Sequence, residues 1–136
     1  MICVDTSSLI AYLEGVQGAD VTLIDQAFLD EIGVLSPVTV TEILSDFHLP
    51  RSIKETILQL PVLPILDGYW ERAGLLRAKM LRNGHKAKLA DTLIAQNCLD
   101  HGATLVTRDR DFLLFQKGAG LKLIHNGLDP YRLEFL

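Results

Sequence analysis

The chain has 136 residues, 49% of them apolar, and a formal net charge of −4. That is enough for one domain with a sizeable core, and too apolar for a disordered chain. No apolar run approaches the ~18 residues a membrane helix needs. The start, MICVDTSSLIAYLEG, has no basic n-region and carries Asp5 within its apolar part, so it does not read as a signal peptide. Cys3 and Cys98 both fall in predicted core elements. They read as small buried hydrophobes of a reducing, cytoplasmic compartment rather than as a disulfide.

In chain order, Met1–Val4 is a short apolar run and predicts a buried first strand, followed by a helix over Leu9–Glu14 that Gly15 to Gly18 break. Val21, Ile24, Phe28 and Ile32 recur at helical spacing, and Gly33 is expected to stop that helix. Val34–Ser36 predicts a minimal second strand. Pro37 opens the next helix at a position proline tolerates, and Val38–Asp46 carries Glu42 beside Val40, Ile43, Leu44 and Phe47. Pro50 begins a short helix over Arg51–Leu60. Val62–Leu66 lies between Pro61 and prolyl-interrupted sequence at Pro64, so only an edge or irregular strand is expected there.

Gly68–Asn83 is the long helix, with Tyr69, Ala73, Leu76 and Met80 as its apolar stripe and Gly84 at its end. Leu89–Phe112 then reads as helix, glycine stop, strand and acidic turn. Ala90, Leu93, Ile94 and Cys98 should face a core, and Gly102 sits where a helix C-terminus wants positive φ. Ala103–Thr107 is a β-branched apolar run, hence a buried strand. Leu113–Gly120 is a short helix or loop, Leu121–His125 a last strand, and Asn126–Leu136 a tail turned at Asp129-Pro130. Strands alternate with helices throughout, which argues for one α/β domain on a mainly parallel sheet.

The acids fall at particular places in this scheme. Asp5 and Asp109 follow predicted core strands. Asp91 lies at the start of one helix and Glu42 lies on another. Each has an ordinary job available: Asp5 and Asp109 can cap helices, Asp91 can favour a helix N-terminus, and Glu42 can be a surface residue. In an open parallel sheet, however, the carboxyl ends of the strands share an edge where ligands bind. Carboxylates crowded there repel unless some are protonated or a hard cation joins them. Magnesium or manganese, which take oxygen ligands, answers that need. Asp5 and Asp91 are the first choice as direct ligands, with Glu42 and Asp109 further out, Asp111 beside them, and hydroxyls from Thr6, Ser7 or Thr107 behind. Such a site can activate water against a phosphodiester. His48, His85, His101 and His125 form no zinc pattern.

Charge is unevenly spread. Arg72, Arg77, Lys79, Arg82, Lys86 and Lys88 run without an intervening acid, leaving seven cations among the 17 acidic residues elsewhere. A basic strip beside an acidic pocket suits a polyanion, although a solvated helix face with cations near its C-terminus would look alike.

The motifs V-D-T-S near the start, T-E-I in the first third, and A-D-T-L-I-A-Q followed by A-T-L-V-T-R-D-R-D-F resemble those of PIN domains, in particular VapC-like toxins of toxin–antitoxin pairs. The resemblance spans the whole chain, and the last long pair is the specific part. It implies a three-layer α/β/α fold with a short, mainly parallel sheet. It also implies a Mg²⁺- or Mn²⁺-dependent ribonuclease, a homodimer, and inhibition by a small antitoxin that blocks the acidic groove. By position, the catalytic acids are Asp5, Glu42, Asp91 and Asp109, with Asp111 an alternative to the last. His85-Lys86-Ala87-Lys88 departs from the apolar residue many relatives place before the helix. Arg77, Lys79, Arg82, Lys86, Lys88, Arg108 and Arg110 are then candidates for RNA backbone contacts.

Two other functions fit parts of the pattern. A nucleophilic carboxylate at Asp5 would suit an aspartyl-phosphate phosphatase, but Ser7 stands where that chemistry looks for a second Asp. A catalytically inert module binding RNA or protein would have no use for the full set of acids.

Overall fold

The computed structural model describes residues 1–125, so the expected tail turn at Asp129-Pro130 lies outside the described residues. The strands are β1 (Ile2–Val4), β2 (Gly33–Val34), β3 (Thr104–Thr107) and β4 (Lys122–His125), in the order β2-β1-β3-β4. All pairings are parallel, with Val4 opposite Val106 and Thr107 opposite His125. The first three-residue strand is therefore an inner strand, although the segment beside it in space arrives about a hundred residues later.

Alternation along these strands builds two cores. Cys3, Leu105 and Leu123 point to one face. There they meet Leu76 and Met80 of α5 (Tyr69–Arg82), Ile94, Ala95 and Cys98 of α6 (Leu89–His101), and Phe115 of α7 (Leu113–Ala119). Val4 and Val106 point to the other. They meet Leu9 of α1 (Thr6–Leu13), Ile24 of α2 (Ala19–Leu29), Ile43 of α3 (Pro37–Leu44) and Ile57 of α4 (Arg51–Ile57). The result is the three-layer α/β/α arrangement, with every strand's carboxyl end on one edge.

Several boundaries differ from the sequence expectation, each for a local reason. The first helix begins at Thr6, directly after the strand, because the Asp5 carbonyl already accepts from the Leu9 N–H at 2.9 Å. The second helix ends at Leu29. Glu31, at φ 60°, turns the chain, and the Ile32 N–H reaches back to the Ala27 carbonyl at 2.9 Å. The closing residue is thus Glu31, not Gly33. Gly33 belongs to β2, where a Cβ would come within 2.6 Å of the Phe28 ring. The second strand accordingly begins one residue and ends two residues earlier than expected, and Ser36 is the cap of α3, its Oγ accepting from the Val38 N–H at 3.2 Å. Val62 makes a single parallel bridge to Leu35, which is what remains of an edge strand between Pro61 and Pro64. The Leu113–Gly120 segment is helical, after a 3₁₀ turn over Arg110–Phe112.

The long helix buries Tyr69, Ala73, Leu76 and Met80, as its periodicity predicts. The helix carrying Asp91 behaves differently. Ala90 and Leu93 are only partly covered, whereas Thr92, Gln96 and Asn97 are buried with Ile94, Ala95 and Cys98. The helix lies between the sheet and α5, so it is covered nearly all round, and polar side chains must be paired there. Asn97 Oδ1 accepts from Ser36 Oγ at 2.7 Å, while its Nδ2 is buried without a partner among the described residues. Tyr69 Oη donates to the Leu93 carbonyl at 2.6 Å, and burial pushes this phenol up to about 12. Arg72 holds Asp100 with two bonds of 2.9 and 2.6 Å, and Gln96 adds a third at 2.8 Å.

Tyr69→Phe removes one of these inter-helix bonds and should cost about 1 kcal/mol in urea unfolding. Asp100 has its carboxyl held below the usual range by the Arg72 guanidinium. A depressed pKa stabilises the fold above the unfolded value and ceases to do so as pH falls through the folded value. Asp100→Asn should therefore melt earlier than the parent at pH 7, and the two melting curves should converge in acid.

Candidate active site

The pocket is built where β1 and β3 end side by side. The Asp5 N–H donates to the Val106 carbonyl at 2.9 Å, so Asp5 continues the sheet ladder before the chain turns into α1. It stands at the cap position of that helix, but its carboxylate makes no capping bond. Instead Oδ2 accepts from Thr107 Oγ1 at 2.7 Å and from Ser7 Oγ at 3.2 Å. The residue is only 5% exposed. Burial pushes its pKa up, the Thr107 bond pulls it down, and the charge of Asp109 adds to the rise.

Thr107 is a junction. Its hydroxyl donates to Asp5 and accepts the Asp109 N–H at 2.9 Å. Asp109 in turn caps the 3₁₀ turn, Oδ1 accepting from the Asp111 N–H at 2.9 Å. The capping job and the place in the acid group are therefore compatible for Asp109, because one carboxylate oxygen serves the cap. Asp91 reaches the same place from the first turn of α6. One carboxylate oxygen from each of Asp91, Asp109 and Asp111 lies within 4.8 Å of the other two. Asp91 is pushed up to about 6, by burial first and then by the charges of Asp109 and Asp5, against a partial offset from Lys88.

Glu42 approaches from α3. Thr6 Oγ1 donates to its Oε1 at 3.2 Å. Its pKa is raised by partial burial, and further by Asp5 and Asp109. The five acids singled out in the sequence thus converge on one edge of the sheet, within electrostatic reach of one another. The grouping differs in detail from the expected pair of Asp5 and Asp91. The tightest set is Asp91, Asp109 and Asp111, with Asp5 and Glu42 adjoining it. Asp109 and Asp111, alternatives in the sequence, both lie in this group.

The donors are carboxylate and hydroxyl oxygens throughout, with no sulfur or imidazole in the set. That composition fits a hard divalent cation, and three close carboxylates left as anions would repel strongly without one.

The seven candidate RNA-contacting cations separate into two groups. Arg77 Nε donates to the Ala87 carbonyl at 2.9 Å, and Lys79 Nζ to the Gly118 carbonyl at 2.9 Å. Lys88 Nζ holds Asp111 Oδ2 at 2.7 Å. Arg108 grips Asp20 through Nε at 2.6 Å and Nη2 at 2.9 Å. These four are engaged within the protein. Arg82, Lys86 and Arg110 are exposed and have no partner among the described residues.

Two residues near the pocket escaped the sequence reading. Asp20, 1% exposed, reads in sequence as a helix-start acid, and its partner stands 88 residues away. Ser8 donates to the same carboxylate at 3.0 Å and reads as part of a polar helix start. Neither has a local signal. Only the sheet order brings them to Arg108.

The PIN domain family model matches residues 2–118. No curated protein matches the chain. Solved structures do. FitAcB from Neisseria gonorrhoeae is 24% identical over 98% of this chain and 100% of that one, with a TM-score of 0.69. VapBC2 from Rickettsia felis, bound to a DNA fragment from the promoter, is 17% identical over 92% and 98%, with a TM-score of 0.72. VapBC-5 from Mycobacterium tuberculosis, a member of the VapBC family of toxin–antitoxin systems, is 20% identical over 90% and 96%, with a TM-score of 0.66. These likenesses agree with the observed parallel sheet and its two helical layers. The matched family segment contains all five acids of the pocket, and the chain belongs to the PIN domain family.

Proposed function

We propose that the protein is a divalent-metal-dependent endoribonuclease and the toxin of a toxin–antitoxin pair. The observation that carries this reading is the convergence of Asp5, Glu42, Asp91, Asp109 and Asp111 from separate elements onto one sheet edge, with Asp5, Glu42 and Asp91 all raised in pKa. Perturbed acids gathered in one place are the usual mark of a working site.

Asp91, Asp109 and Asp111 would hold Mg²⁺ or Mn²⁺, with Asp5 and Glu42 completing the negative field around it. Bound there, such an ion would supply an activated water and charge neutralisation at a phosphodiester. The chain's own residues prepare that environment. Thr107 and Ser7 donate to Asp5 and favour its anion despite burial. Thr6 orients Glu42. Lys88 steadies Asp111 at the rim. Arg82, Lys86 and Arg110 remain able to neutralise phosphates of an incoming strand.

The toxin assignment is supported by the toxin–antitoxin complexes among the similar structures. On this reading the partner is a small antitoxin, the toxin is a homodimer, and both work in the cytoplasm. Among the described residues no helix is long and apolar enough to cross a membrane. Trp70 and Leu75, 62% and 72% exposed on α5, offer apolar surface to a second chain.

Asp91→Asn should abolish RNA cleavage while the protein stays folded; cleavage at the parent rate would refute the assignment. The same variant has a second signature. A carboxyl whose folded pKa is raised stabilises the fold below its unfolded value and loses that contribution as pH rises through about 6. Metal-free Asp91→Asn should then be more stable than the parent at pH 8, by about 1 kcal/mol once screening by water is allowed for. The gain should vanish near pH 4. In the parent, Mn²⁺ affinity measured by calorimetry should weaken below about pH 6 as Asp91 takes up its proton. Arg82→Ala and Lys86→Ala should each lower the salt dependence of single-stranded RNA binding by about 0.7 in log–log slope.

A further inference from the structure

We infer that the partly buried ion pair between Arg108 and Asp20 is the positioning device for Asp109, clamping the residue before it on the opposite side of the chain. The inference rests on the reading of Asp109 as part of the metal-holding acid group.

Arg108 is held at its backbone N–H, its carbonyl, Nε and Nη2. Its backbone N–H donates to Ser7 Oγ at 3.1 Å. Its carbonyl accepts from His125 Nε2 at 3.1 Å. Its guanidinium forms a two-pronged contact with Asp20, whose side chain is 2% exposed and also accepts from Ser8. The Arg108 pair pulls Asp20 below the usual carboxylate range.

The geometry of an extended chain explains why this matters. Asp109 has φ −90° and ψ 119°, so side chains along Thr107–Asp109 alternate. Thr107 turns to Asp5, Arg108 turns away to α1 and α2, and Asp109 turns back to Asp91 and Asp111. Fixing Arg108 on one side fixes the direction of Asp109 on the other. Without that anchor Asp109 would be driven outward by the negative charge of Asp5 and Asp91. A planar, forked cation suits this role better than a point charge would.

The surroundings leave room for the clamp and nothing more. A Cβ on Gly18 would lie 2.6 Å from Asp20 Oδ1 and 2.8 Å from Arg108 Nη2. Gly18 is an exposed residue with extended backbone, so its lack of a side chain is explained by this space rather than by strain. Gly18, Ser8, Asp20 and Arg108 thus form one unit whose side chains hydrogen-bond to none of the five pocket acids and which reaches Asp109 through the peptide bond from Arg108.

The test uses two variants of the full chain. Asp20→Leu with Arg108→Met replaces the pair with apolar side chains, an exchange that buried pairs often tolerate without loss of stability. Gly18→Ala disturbs the pair from a solvent-exposed position. The readouts are melting temperature, amide hydrogen exchange, Mn²⁺ affinity by calorimetry, and kcat and KM for RNA cleavage. The expected result is a near-parental melting temperature with exchange at Asp109 and Asp111 about tenfold faster, while exchange at Leu105 is unchanged. Mn²⁺ affinity should fall about tenfold or more. The loss of cleavage should appear in kcat and not in KM. Parental exchange at Asp109 and parental Mn²⁺ affinity in the folded double variant would overturn the inference. Faster exchange at Asp109 in a protein whose parent neither binds Mn²⁺ nor cleaves RNA would leave the clamp standing and refute the nuclease reading instead.

Discussion

Carboxylates crowded at the end of a parallel sheet repel one another, and the rest of the protein must hold them against that repulsion. Asp5, Glu42, Asp91 and the Asp109–Asp111 turn come from four separate places in the chain, and among these acids only Asp111 is paired with a cation, Lys88, among the described residues. What holds them is mostly short and uncharged: the hydroxyls of Thr6, Ser7 and Thr107, and backbone N–H groups at the 3₁₀ turn. Asp91 has its pKa raised by burial first and then by the charges of Asp109 and Asp5, so its anion is disfavoured where it stands. A cation taken up there would relieve strain that is already present, so the same arrangement that weakens the empty fold favours the filled one.

The sheet order creates this situation. With β1 between β2 and β3, two strand ends carrying Asp5 and Thr107–Asp109 lie side by side, and the helices that follow or precede them deliver Glu42 and Asp91 to the same edge. The faces of the sheet are ordinary apolar cores, and the site occupies the edge where the strands end, just past the last ladder bond from the Asp5 N–H to the Val106 carbonyl. Stability and function are therefore carried by different parts of the same four strands.

Much of this was legible in the sequence because it depends on local rules. The stripe Tyr69, Ala73, Leu76, Met80 has helical spacing and is buried as such. Gly102 ends its helix at φ 62°. Proline at the start of α3 and prolines around Val62 act as their chemistry predicts. The acids could be gathered from sequence because strand ends in a parallel sheet share an edge. What escaped depends on tertiary contact. Glu31 takes a left-handed conformation usually given to glycine because its helix has to close before β2. The helix after Lys88 buries Thr92, Gln96 and Asn97 because neighbours cover it on nearly all sides, which no single apolar face announces. Asp20 looked like a helix-start acid because its partner is remote in the chain.

That remoteness has a consequence for how the protein comes into being. β1 is made long before its neighbour on the side of the pocket, Thr104–Thr107. Asp5 meets the hydroxyl that steadies it only across 102 positions. Contacts so distant along the chain form late, because closing a long loop costs entropy before any pairing rewards it. The acid set therefore assembles only once the segment through Asp111 has been made. Until then the growing polypeptide carries scattered carboxylates and no pocket.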